Sequence, residues 1–338
     1  MNKFIALIFI SALIVSACQR DLDIPLPEHE PRLTLYTFLE EGKPIDLYVL
    51  KSFGILDKVE AKDLVVEDAK VELYKNGDLL DVLQYKDTSY KDTINTFYDP
   101  VADTFIYVTD FLTGAKYFPS KTLDSPMAGE TYKFVVSHPT LGTAEGETTI
   151  PKKIGYATVS LFKDSLSFVD SYGDRTNWTA LDLAVNDPIG LGDHYNFIVG
   201  VDYIDEAFDP DRQIQREWYW PGQEILSDPD GYTYVRNQPK SDEDFDGGQG
   251  QMYWWFTLPR SWRVESERPE YKKILIKGIS MSAAYARFQD KLNLQVNSRL
   301  FGIENAFVPS ESVVIPSNVE GGYGVIASYN VSDYTIDL

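Results

Sequence analysis

From Arg32 onward the chain alternates inward and outward candidates with a period of two, and this restricts it to a β-rich fold. Leu33, Leu35 and Thr37 alternate with Thr34, Tyr36 and Phe38. Ile45, Leu47 and Val49 alternate with Asp46 and Tyr48, and Ala69, Val71 and Leu73 with Lys70, Glu72 and Tyr74. Residues two apart share one face of a strand, so each run predicts a strand with one buried face. The third run leads into Asn76-Gly77, a type I′ hairpin signal because both central residues accept positive φ, with Leu80–Tyr85 as the return strand. Tyr132, Phe134 and Val136 alternate again, and Thr140-Leu141-Gly142 turns the chain into a strand over Thr143–Ile150. Short strands separated by such turns predict an immunoglobulin-like β-sandwich over residues 32–152. Residues 87–125 are less regular and predict a long, decorated connection.

Pro151-Lys152-Lys153 marks a boundary, and residues 153–338 read as a second β-rich domain. Leu181, Leu183 and Val185 alternate, as do Phe197, Val199 and Val201; Tyr253–Phe256 and Ile274–Ile279 are further strands. Residues 205–250 are acidic and rich in glycine and proline, and read as a loop-rich segment that contacts ligand or partner. One amphipathic helix is predicted near the C-terminus over 281–300, where Ala284, Phe288, Leu292, Val296 and Leu300 recur at intervals of four. Gly321-Gly322-Tyr323-Gly324 predicts a turn into a last core strand, with glycine permitting close backbone approach.

The N-terminus carries different chemistry. Lys3 precedes an apolar run of 14 residues from Phe4 to Ala17. That suits a signal peptide and falls short of the roughly 20 residues that a spanning helix needs. The run ends Val15-Ser16-Ala17-Cys18, which resembles the bacterial lipobox. Residues 1–17 are therefore expected to be cut between Ala17 and Cys18, leaving Cys18 to carry acyl chains such as palmitate. Cys18 is the chain's single cysteine, so no disulfide forms and a lipidated sulfur leaves no free thiol. Residues 18–31 read as an extended tether, with Pro25, Pro27 and Pro31. Asp21 and Asp23 partly resemble the acidic export signal of Bacteroidota surface lipoproteins.

A formal charge of −21 over 338 residues repels phosphate backbones and excludes nucleic acid as a partner. Aromatic residues make up 14% of the chain, which favours strands and flat-ligand surfaces. Only three histidines occur. There is no His-Glu-x-x-His motif, no cysteine pair and no Gly-x-Ser-x-Gly elbow, so the chain does not read as an enzyme. Two candidate sites remain. Asp242, Asp244 and Asp246, followed by Gly247, resemble the start of a calcium loop, although its twelfth position is Tyr253 and not the bidentate glutamate; calcium is the one cofactor that the sequence suggests. Trp218, Tyr219, Trp220, Trp254 and Trp255 form an aromatic set suited to a sugar ring or a partner protein.

Several segments resemble one family as a group. They are Val66–Leu73, Gly129-Glu130-Thr131-Tyr132 and Thr149-Ile150-Pro151, then Asn186-Asp187-Pro188 with His194-Tyr195-Asn196-Phe197. Ser241–Gly247 follows, then Asn305–Pro309 and Ser317–Gly324. Together with the lipobox, they are similar to a domain-of-unknown-function family of Bacteroidota outer-membrane lipoproteins often encoded beside TonB-dependent receptors. The resemblance implies a lipid-anchored outer-membrane location, a β-barrel transporter as partner, and a non-catalytic binding or assembly role. A structural or adhesive surface protein and a carbohydrate-active enzyme are the alternatives; the latter needs only two suitably spaced carboxylates among the 52 acidic residues.

Overall fold

In a computed structural model of the chain, the described residues are 29–54, 57–87, 92–99, 104–110, 115–169, 175–189, 194–205, 213–219, 221, 224–227, 233–236, 239–243, 247–258, 269–302 and 314–338. The expected signal peptide, with Ala17 and Cys18, and most of the tether lie outside them. The fold is mainly β, with a single α-helix near the C-terminus among the described residues.

The predicted alternation is realised in β1 (Leu33–Glu40) and β2 (Tyr48–Lys51), which pair antiparallel. Leu33, Leu35, Thr37 and Leu39 are buried, while Phe38 on the opposite face is exposed. Next come β3 (Lys70–Lys75) and β4 (Asp78–Asp87), a hairpin β5 (Asp92–Asp99) and β6 (Thr104–Asp110), and β7 (Ala115–Phe118), β8 (Thr131–His138) and β9 (Gly142–Thr149). Asn76 and Gly77 take φ of 51° and 94° in the two-residue turn that sets Lys75 opposite Asp78. Five strands form a sheet in the order β7-β4-β3-β8-β9. The region expected to be a long connection, 87–125, thus contains three strands.

The second half contains β10 (Gly155–Val169), β11 (Arg175–Asn186), β12 (His194–Ile204), β13 (Gln215–Tyr219), β14 (Glu224–Ser227), β15 (Thr233–Arg236), β16 (Lys240–Ser241), β17 (Gln249–Thr257), β18 (Glu270–Met281), α1 (Ala283–Gly302) and β19 (Tyr323–Asp337). Residues 205–250, expected to be loops, include four of these strands. β13 pairs with β12 because Gln215, Glu217 and Tyr219 alternate with Arg216 and Trp218, a period masked in the sequence by the glycines, prolines and acids around it.

The largest sheet runs β13-β12-β18-β19-β1-β2, and β19 joins its two halves. Residues 323–329 pair parallel with β1, and residues 329–337 pair antiparallel with β18. One face of the β1–β2 end packs against the five-stranded sheet, enclosing Leu35, Leu47, Leu73, Phe134 and Val136 together with Ile326 of β19. The β12–β18 end packs against the sheet β10-β11-β17, enclosing Leu183, Phe197, Val199, Trp254 and Ile276. The sandwich expected over 32–152 is therefore completed by the last strand of the chain.

β19 also fixes the segment between the halves. The Ser328 hydroxyl donates to the Thr149 carbonyl at 2.6 Å, Asn330 Nδ2 to the Pro151 carbonyl at 3.1 Å, and Ser280 Oγ to the Lys152 carbonyl at 2.7 Å. These bonds satisfy backbone acceptors where the chain passes from one core to the other. The family-like segments act as joints of the same kind. Asn318 accepts from Ile326 N at 2.9 Å and donates to Ile326 O at 2.7 Å. Glu145 and Glu320 exchange backbone bonds of 2.9 and 2.7 Å.

The helix exists, but its buried face differs from the predicted stripe. Ser282 Oγ accepts from Tyr285 N and from Ser328 N, while Ser282 N donates to Ser328 O. This cap ties the helix start to β19 and sets its rotation. Tyr285 and Ala286 consequently pack on Ile198, Ile279 and Tyr329. Phe288 meets Phe38, and Leu292 is 38% exposed. The side chains of Val296 and Leu300 lie outside those described.

Close approach at the start of β19 requires glycine. Gly324 has φ +119°, and a Cβ there would stand 1.9 Å from the Leu35 carbonyl oxygen. Gly324→Ala is expected to cost at least about 3 kcal/mol, combining backbone strain with overpacking. Gly42→Ala, with φ +78° but open space around it, should cost about 1–2 kcal/mol. Urea denaturation of both variants compares them, and equal midpoints would contradict the central role of this contact.

Candidate functional site

The structure disperses the aromatic residues singled out in the sequence. Trp218 and Tyr219 are neighbours on β13 and point to opposite faces. Trp218 lies on the outer face, 44% exposed, with its ring over Gly200 and the Arg216 and Lys277 cations 5.8 and 5.7 Å from its centroid. Arg216 also grips Asp202 through bonds of 2.5 and 2.8 Å, which hold that carboxyl below its usual pKa. Tyr219 turns inward beside Phe256 and donates to Glu217; burial first, and then Glu217, raises its pKa. On β17, Trp254 is fully buried, with its ring edge-on to Phe197 at 5.2 Å, whereas Trp255 is half-buried on the other face. Trp220 lies outside the described residues.

Asp242 is buried, and Asp244 and Asp246 lie outside the described residues. Gly247, which follows them, donates its N–H to Asp187 Oδ2 at 2.7 Å, and the Tyr195 hydroxyl donates to Asp187 Oδ1. Three family-like segments therefore meet at the Asp187 carboxylate. Among the described residues, no group of three or more His, Cys, Asp or Glu is arranged to hold a metal. His138, one of the three histidines, closes the β8–β9 turn by accepting from Thr140 N and Leu141 N, with its Nε2 3.1 Å from Asp68 Oδ1.

Among the described residues, a groove with the geometry of a binding site lies elsewhere, on the outer face of β1 and β2. With the inward residues of these strands sealed in the core, Tyr36, Phe38 and Glu40 of β1 and Tyr48 and Leu50 of β2 line a groove of about 650 Å³. Tyr36 and Tyr48 are direct cross-strand partners. β7 supplies the wall. Leu47 and Tyr117 exchange backbone bonds of 3.0 and 2.8 Å, which dock β7 beside β2. Tyr117 enters the core, where its hydroxyl bonds to Val66 O and burial pushes its pKa up to about 12. Its neighbours Lys116 and Phe118 must then face the groove.

Charged groups in the groove are held in place. Lys116 Nζ lies 2.8 Å from Asp46 Oδ2 and 4.4 Å from the centre of the Tyr48 ring, within cation–π range. Burial disfavours the ammonium charge, but the hydrogen bond and attraction to Asp46 outweigh it, and the Lys116 pKa is raised. Thr37 Oγ1 donates to Asp46 O at 2.6 Å, and Tyr329 donates to Glu40 at 3.0 Å. At the far end Phe38 meets the Tyr285 ring edge-on, at 5.4 Å. A second cavity of about 350 Å³ adjoins the groove and shares Lys43, Pro44 and Phe118. In the sequence, Tyr36, Phe38 and Tyr48 stand out only as strand alternates. The available signal was that adjacent strands carry aromatic residues at outward positions, where polar residues are usual.

The family described as Domain of unknown function (DUF4249) matches residues 19–335. No curated protein matches the chain.

A double-mutant cycle tests the wall of the groove. Asp46→Ala leaves Lys116 partly buried without its carboxylate and should cost about 1–3 kcal/mol; Asp46→Ala with Lys116→Met should recover part of that loss. Because the folded pKa of Lys116 is raised, the pair's contribution is complete below about pH 10 and is lost as pH rises through that folded value. Urea midpoints at pH 7 and pH 11 measure it, and strictly additive losses at pH 7 would show that the pair is not coupled.

Proposed function

The chain belongs to the DUF4249 family, and we propose that it is an outer-membrane lipoprotein acting as a non-catalytic binding or assembly accessory of a TonB-dependent transport system. Lipid on Cys18 holds the body at the membrane, and the 18–31 tether lets it reach up to about 50 Å. Two or more acyl chains suffice for stable anchoring. Tethering beside a transporter raises the effective concentration of a binding surface without demanding tight contacts.

The observation that carries the reading is the position of the groove. Its floor strands begin at Leu33, directly after the tether ends at Pro31, so the groove belongs to the first elements that the tether would carry, and a ligand held there stays within the tether's reach of the anchor. The groove is also built on the rigid end of a sandwich core, which suits presentation of a ligand more than closure around a reaction.

Two measurements test the proposal. Cys18→Ala should move the protein from the membrane pellet to the soluble fraction. Mild crosslinking of intact envelopes should retrieve a β-barrel transporter with the native protein. A Cys18→Ala protein that still sediments with the envelope would remove the anchor, and crosslinking that yields no barrel would remove the accessory role.

A further inference from the structure

We propose that the groove between β1, β2 and β7 is a binding site for a neutral oligosaccharide. The inference deepens the accessory role and rests on it only for its biological setting.

Three features of the groove select this chemistry. The first is its aromatic surface. Tyr36 and Tyr48 face each other across paired strands, and Phe38 and Phe118 flank them. Cross-strand partners stand about 5 Å apart, close to the width of one pyranose ring. The axial C–H groups of a sugar pack on such rings while its hydroxyls point sideways to polar walls.

The second feature is charge. The lining carries two carboxylates, Glu40 and Asp46, and two ammonium groups, Lys43 and Lys116. These cancel, on a chain whose formal charge is −21. An anionic ligand would meet the two carboxylates and a cationic one the two ammonium groups. A wholly apolar ligand would strip water from all four. Neutral hydroxyls donate to Glu40 and Asp46 and accept from Lys43 and Lys116, and hydrogen bonds to charged groups are the stronger kind.

The third feature is preorganisation with spare capacity. Lys116 is already fixed by Asp46 and Tyr48, and Glu40 by Tyr329. Among the described residues the Tyr36 hydroxyl makes no hydrogen bond and the Lys43 ammonium makes no ion pair, so both can serve a ligand. The volume of about 650 Å³ lies within the usual range for ligand sites. The adjoining cavity across Lys43 and Phe118 provides room for more than one ring, which favours an oligosaccharide over a single sugar.

The test uses the full lipidated protein, purified in a detergent without a sugar headgroup. Isothermal titration is run with neutral hexasaccharides of α-1,4-glucose, β-1,4-glucose, xylose and mannose, and with hexagalacturonate and inorganic phosphate as charged probes. At least one neutral hexasaccharide should bind with Kd between about 10 μM and 1 mM, with neither charged probe matching it. Tyr48→Ala and Tyr36→Ala should each weaken binding about tenfold or more, a loss of one aromatic contact. Tyr36→Phe, which keeps the ring, should lose only a few-fold, and Trp218→Ala should bind as the native protein does. Absence of binding to every neutral hexasaccharide overturns the inference. So does equal affinity for hexagalacturonate, or full affinity in both Tyr→Ala variants. Sugar binding without a crosslinked barrel would sink the accessory role and leave the groove assignment standing; a barrel partner without sugar binding would do the reverse.

Discussion

The seating of β19 is the constraint on which the rest of the structure depends. Its first half completes the β1–β2 end of the large sheet, its second half completes the β18 end, and Tyr329 pairs at the handover with both Glu40 and Met281. Ile326 closes one hydrophobic core while Ile336 packs against the other. Seating is possible because the strand enters through glycine at Gly324, where the backbone comes too close to Leu35 for any side chain. Strands roughly 290 positions apart in sequence thus become neighbours, at an entropic cost that grows only slowly with loop length.

Buried polar groups make that seating specific. Ser328, Asn330 and Ser280 bond to carbonyls of residues 149–152, and Ser282 caps α1 while holding Ser328. An apolar strand could slide along its neighbours by two residues and still bury its face. These side chains would then lose their partners at the cost of buried, unsatisfied groups, so hydrogen bonds set the register that hydrophobic burial alone leaves open. The segments that carry the family resemblance, around Asp187, Gly247, Asn318 and Glu320, sit at such joints and not in the groove.

The groove is a by-product of the same arrangement. It opens where β1 is gripped on its inner face by the core and on its flank by β19, and Tyr329 and Glu40 at the handover form one end of it. Strand positions are therefore fixed before any ligand arrives, which limits the ordering cost of binding. Its balanced charges stand apart from the strongly acidic chain as a whole.

Much of this was legible locally. The alternation in Leu33–Leu39, the Asn76-Gly77 turn, the last strand behind Gly321–Gly324 and the late helix follow from short-range sterics and from the need to bury one face. The strands within 205–250 are hidden in the sequence because their alternation is short and interrupted, and the buried face of α1 does not follow from its spacing because Ser282 and Ser328, remote in sequence, set its rotation. Residue spacing reports which side chains share a face of one element, since that depends only on backbone periodicity. It does not report which elements meet. The division of Trp218 and Trp254 between surface and core, the union of Tyr36, Tyr48 and Lys116 in one groove, and the sharing of β19 by two cores all arise from pairings across tens to hundreds of residues, which only packing in three dimensions selects.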